Sequence, residues 1–143
     1  MTYENYIKGR MVQFAVAEAY HVGGWDAMCA VAQVLANRVK NGWGEWYDVL
    51  DRAGDYRGTV NDPPKVDPRA AEFRRMLTMI DDIYHGLADD TNVNVEDDRG
   101  GKTMALYYAD LNNLNRAWFR ENVLSNLVEH PRLATVGPLT FFA

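Results

Sequence analysis

This chain is short of the residues on which redox, metal and nucleic-acid functions depend. Its 143 residues include one cysteine, Cys29, so no disulfide can form within it. Cys29 sits in the apolar run Met28-Cys29-Ala30-Val31, which points to a buried, inert thiol. No histidine adjoins it to support a nucleophilic role. The three histidines are far apart and lack metal-ligand spacing, so neither a metal nor an organic cofactor is expected. Lys and Arg number 15 against 20 Asp and Glu, for a net charge of −5, and no basic run exceeds two residues. That argues against a nucleic-acid footprint and disfavours anionic membrane surfaces. No apolar segment approaches the length of a membrane-spanning helix, so membrane insertion is not expected. The opening Met1-Thr2-Tyr3-Glu4-Asn5-Tyr6 has neither the basic start nor the apolar run of a secretory signal.

What the chain does have is core. Hydrophobic residues make up 48% and aromatic residues 12%, enough for one globular domain spanning 1–143. Ile7, Met11, Phe14 and Glu18 recur at helical spacing, which predicts a first helix over about 4–20. The paired glycines in His21-Val22-Gly23-Gly24 predict a break. A second helix over about 26–40 carries Met28, Val31, Ala32, Leu35 and Val39 on its apolar stripe. Arg38 and Lys40 suit its last turn, and Asn41-Gly42 stops it. An irregular aromatic loop follows to about 66, with a short helix near 47–50. Asp67-Pro68 opens a third helix reaching about Gly86, with Ala70, Phe73, Leu77, Ile80, Tyr84 and Leu87 in register. In the acidic stretch 88–101, Asp90, Asn92, Asn94 and Glu96 alternate as calcium ligands would. Val95 stands where the sharp bend needs glycine, so calcium is not expected. Residues 103–109 read as a strand with Met104, Leu106 and Tyr108 on one face. A fourth helix spans about 115–128, and the tail forms strand around Gly137-Pro138, able to pair with 103–109. The class is α+β, mostly α, with about four helices and a small antiparallel sheet.

Glu18 is the residue that invites a chemical reading, because it lies on the apolar stripe of its helix. A carboxyl stripped of water there favours its protonated form. A proton-carrying carboxyl is what cleavage of a glycosidic bond requires at the leaving oxygen. The other reading is a core Glu satisfied by an Arg or by backbone donors.

Four blocks occur in order: Ala17-Glu18-Ala19 before a glycine turn, Ala30-Val31-Ala32-Gln33-Val34-Leu35-Ala36-Asn37-Arg38-Val39, Ala105-Leu106-Tyr107-Tyr108-Ala109, and the closing Ala134-Thr135-Val136-Gly137-Pro138-Leu139-Thr140-Phe141-Phe142. Together they resemble the catalytic domain of the spore cortex-lytic family of cell-wall hydrolases, which also occurs in bacteriophages. The resemblance implies a lysozyme-like fold, cleavage of peptidoglycan glycan strands, and Glu18 as the catalytic acid. The chain departs from the family pattern where His21, Val22 and Gly23 replace a second Glu, and where Ala109 and Leu139 stand at positions often held by His.

Around the acid, Asn37 and Arg38 are expected as support, by capping, ion pairing or bracing the Glu18 helix. Of the adjacent Tyr107 and Tyr108, strand alternation sends one to each face; Tyr107 is expected in the groove because Tyr108 shares the face of Met104 and Leu106. Tyr56, Trp118 and His21 are the further candidates for sugar contact. No second carboxylate carries a motif, although Asp26, Glu45, Asp48 and Asp55 are available. The expectation is therefore a muramidase-like lytic transglycosylase, which needs one carboxylate where hydrolysis ordinarily needs two. The lack of an export signal suits a phage product, held in the host cytoplasm until holin-type release or carried in the virion beside other virion proteins. The rival reading is a non-enzymatic phage structural or adaptor protein on the same scaffold.

Overall fold

A computed structural model describes residues 2–54, 71–87, 93–96, 102–112 and 116–143. Helix α1, Tyr3–Lys40, runs through the centre of the fold. Thr2 caps it, its Oγ1 accepting from the Asn5 N–H at 3.2 Å. Glu4 in the first turn and Arg38 and Lys40 in the last complement its dipole. The chain leaves the helix at Asn41, and Gly42 follows with φ +82°, as the sequence predicts.

The two expected helices are thus one helical run interrupted at a single residue. Gly24 has φ 65° and ψ −147°, while helical structure continues through His21, Val22 and Gly23. That backbone conformation is open essentially to glycine alone. A Cβ on Gly24 would meet nothing within 4 Å, so Gly24→Ala isolates the backbone term. It is expected to destabilise the fold by about 1–3 kcal/mol, read as a lower urea midpoint at unchanged slope. An unshifted midpoint would mean that the kink carries no strain for a side chain.

Two shorter helices brace this rod. Helix α2, Trp46–Gly54, extends the short helix expected near 47–50, and helix α3, Ala71–Tyr84, packs along α1. Of the expected α3 stripe, Ile80 is buried and Phe73 and Tyr84 pack against the core, while Leu77 is exposed and Ala70 lies outside the described residues. Met76 and Ile83 are buried beside Ile80 at i, i+4, i+7 spacing, so the period holds and the stripe is widened to one side.

The sheet regions are small and antiparallel. Strand β1, Asn94–Glu96, lies in the stretch expected to be loop up to residue 101, and it pairs antiparallel with β2, Lys102–Met104, at the start of the expected strand. Strand β3, Tyr107–Asp110, pairs with the tail, as expected. A helical segment follows as α4, Ala117–Phe119, a π-helical turn, Arg120–Leu124, and α5, Ser125–Leu127. Strands β4, Arg132–Val136, and β5, Leu139–Phe142, close the chain, and the three-stranded order is β3-β5-β4. The class is α+β and mostly α. Among the described residues, no helix is long and apolar enough to cross a membrane.

One buried cluster joins these parts, with Ile7, Met11, Val31, Leu35, Leu50, Met76, Ile80 and Phe141 at or near zero exposure. Each such side chain contributes about 1.5–3 kcal/mol on burial. A smaller cluster of Ala109, Phe119, Leu127 and Phe142 lies across the three-stranded sheet. The β4–β5 turn reaches back to the kink. A Cβ on Gly137, whose φ is +55°, would lie 3.1 Å from Gly23 Cα, and one on Gly23 would lie 3.2 Å from Pro138 Cδ. Backbone meets backbone there, which ties the tail hairpin to α1 just beyond Glu18.

Candidate active site around Glu18

Glu18 sits on α1 between one and two turns before the kink at Gly24, in line with buried Ile7, Met11 and Phe14, and is itself half-buried. Strand β3 delivers its partner. The Tyr108 hydroxyl donates to Glu18 Oε2 at 3.1 Å. The Tyr108 ring is held from behind by Phe141, its partner across β5, at a centroid distance of 5.9 Å. A sheet fixed by main-chain hydrogen bonds therefore aims a phenol at a helix-borne carboxyl. Such a donor limits the rotamers of its acceptor.

This reverses the expected assignment of the two tyrosines. Tyr107 points away from Glu18 and packs between Trp43, at 5.5 Å, and His130, at 4.4 Å, beside the smaller cluster. The expectation assumed one unbroken strand over 103–109. The chain instead leaves β2, which pairs with β1, after Met104 and enters a different sheet at Tyr107 as β3, which pairs with β5. Tyr108 packs against the main cluster, as expected, and its hydroxyl reaches Glu18 from there.

Asn37 and Arg38 create the break. Asn37 is fully buried, and its Nδ2 donates to Asn94 Oδ1 at 2.7 Å and to the Ala105 carbonyl at 2.8 Å. Its Oδ1 accepts from Gln33 Nε2 at 2.9 Å. Arg38 Nε donates to the Leu106 carbonyl at 2.9 Å, and its guanidinium lies 5.0 Å from the Trp43 ring. The expected support role thus takes a different form. The pair grips the β2–β3 connection, and through it the position of Tyr108.

A further acidic residue enters that sequence reasoning did not single out. On β3, Asp110 shares the face of Tyr108, one strand repeat further along, about 7 Å away. It is half-buried, pairs across the ladder with Leu139, and its Oδ1 accepts from the Asn112 N–H at 2.9 Å. The signal was present as an i, i+2 relation to Tyr108, the tyrosine not expected to reach the groove.

Trp118 is on α4 with 56% of its surface exposed. The His21 side chain and all of Tyr56 and Asp55 lie outside the described residues. Asp26, Glu45 and Asp48 are exposed, and Asp48 Oδ2 accepts from the Glu45 N–H at 3.2 Å at the start of α2. Cys29 is buried as expected, and burial pushes its thiol up to about 12. Set against family models, curated proteins and solved structures, the chain matches none.

Proposed function

We propose that this protein cleaves the glycan strand of peptidoglycan as a lytic transglycosylase, with Glu18 as its acid and base. The observation that carries this is the half-buried Glu18 carboxyl gripped by the Tyr108 hydroxyl beside the α1 kink. Protonated Glu18 gives its proton to the glycosidic oxygen as the sugar C–O bond breaks. The positive charge left on the ring carbon is shared with the ring oxygen. The sugar's own hydroxyl then attacks that carbon and closes an anhydro ring, returning its proton to Glu18. Atoms balance with no water, metal or cofactor consumed, and one carboxylate suffices. The four sequence blocks that resemble the spore cortex-lytic family support the same reaction. The setting proposed is phage lysis or entry, with glycan strands as the binding partner.

Asp110 favours a second reading. Inverting glycosidases pair the acid with a second carboxylate that serves as base, and Asp110 lies on the same face of β3 as Tyr108. In that case Asp110 would activate a water and the cut would be hydrolytic. Mass spectrometry of muropeptides released from purified cell walls separates the two. Anhydro ends are expected; reducing ends would replace the first reading with the second. Intact walls would sink both, leaving the structural or adaptor role on this scaffold.

Tyr108→Phe is expected to lower kcat about tenfold with KM little changed, since it removes the hydrogen bond that orients the Glu18 carboxyl while keeping the ring on Phe141. A wild-type kcat in this variant would show that Glu18 needs no such partner.

A further inference from the structure

Much of α1 is packed on every side, but one strip of it is open. From Met11 to Ala19, only Gln13, Ala17 and Glu18 escape burial. The open face continues toward the N-terminus through Arg10 and Tyr6. Tyr6, Arg10, Gln13 and Ala17 stand at i, i+4, i+7 and i+11, so they share one side of the helix. Glu18 flanks the end of this strip. Tyr6 precedes it by twelve residues, about 18 Å of helix at ~1.5 Å per residue.

The far end of the strip is aromatic. Tyr6 and Tyr47, the latter on α2, stack with ring centroids 6.5 Å apart and 21° between planes, yet 39% and 50% of their surfaces stay exposed. Tyr3, one turn before Tyr6, is exposed as well. Arg10 Nη1 donates to the Tyr6 hydroxyl at 3.1 Å, and its guanidinium lies 6.0 Å from the Tyr6 ring. Three exposed tyrosines gathered at one helix end form a patch, not scattered surface residues. A phenol ring has flat apolar faces and a polar tip. A sugar ring matches it, with apolar C–H faces and hydroxyls around its edge. Arg10 and Gln13 add donors for hydroxyl and acetamido oxygens, and Gln13 adds an acceptor. Ala17 is small and leaves room beside the carboxyl.

We propose that this face of α1 is a track for the glycan strand, with Tyr6 and Tyr47 holding sugar rings several units away from the bond cut at Glu18. The track rests on Glu18 being the catalytic acid, and it continues that site along the same helix. Its consequence is a preference for long strands. A fragment seated at Glu18 that ends before Tyr6 forgoes the aromatic contacts.

Cleavage of soluble, uncross-linked glycan strands of graded length tests the track. The wild type is expected to show a lower KM for long strands than for fragments too short to reach Tyr6. Tyr6→Ala and Tyr47→Ala should each raise KM on long strands about threefold to tenfold at unchanged kcat, the scale of one lost aromatic contact away from the chemistry. Tyr6→Phe keeps the ring and should keep the preference. Equal KM for long and short strands in the unaltered protein, or a wild-type KM in both alanine variants, would overturn the track and leave Glu18 in its role. Should the wild type leave every strand intact, the catalytic reading fails, and co-sedimentation with purified walls decides the track separately. Retention that falls on Tyr6→Ala keeps it as a glycan-binding face, and any other result ends it. A solution dimer that Tyr6→Ala dissociates would give the face to a second copy of the chain and overturn the track too.

Discussion

Glu18→Gln is expected to abolish glycan cleavage, lowering kcat by roughly 10²–10⁴-fold, the range that a positioned general acid contributes. Glutamine keeps the volume of Glu18 and an oxygen that can still accept from the Tyr108 hydroxyl, so the local packing should survive. What it loses is the transferable proton, and with it both halves of the proposed reaction. The readout is the rate of muropeptide release from purified walls, alongside a thermal melt. Activity should collapse while the melting temperature moves by no more than a few degrees. A variant that still cleaves would remove Glu18 from the chemistry. A large loss of stability with activity retained in the folded fraction would make it a structural carboxylate instead.

Asn37→Ala should give the largest loss of stability, about 3–5 kcal/mol. Asn37 is fully buried and serves three partners: the Gln33 amide, the Asn94 side chain and the Ala105 carbonyl. Removing it strands these groups, each at about 1–3 kcal/mol where no water can reach. For a domain whose total stability is of order 5–15 kcal/mol, that is a large share. Urea titration measures it. Asn94→Ala supplies the comparison, because Asn94 is only half-buried and its loss should cost clearly less. Near-equal effects of the two substitutions would show that the Asn37 network is solvated and does not set the β2–β3 connection.

The prediction for Asn37 also shows why the site was only partly legible. The sequence placed Asn37 and Arg38 correctly at the end of the long helix, where dipole and capping roles are their local options. Nothing local says that their side chains will take the carbonyls of Ala105 and Leu106. Between those carbonyls the chain passes from one sheet to another, Met104 ending a strand paired with β1 and Tyr107 starting one paired with β5. Tyr108 packs against the main cluster as expected, yet its hydroxyl meets Glu18, because a core-packed ring still carries a polar end.

Local chemistry settled the rest. The hydrophobic period of α1, the glycine at its kink, the stop at Asn41-Gly42 and the pairing of the tail with residues 107–110 were readable because each depends on residues a few positions apart or on a pattern repeated along a strand. Glu18 was found the same way, as a charge on an apolar stripe. Tertiary structure alone chose which tyrosine meets that charge and which residues complete the buried stripe of α3. Those choices turn on hydrogen bonds and contacts between segments up to 90 residues apart, and no spacing within one segment encodes them.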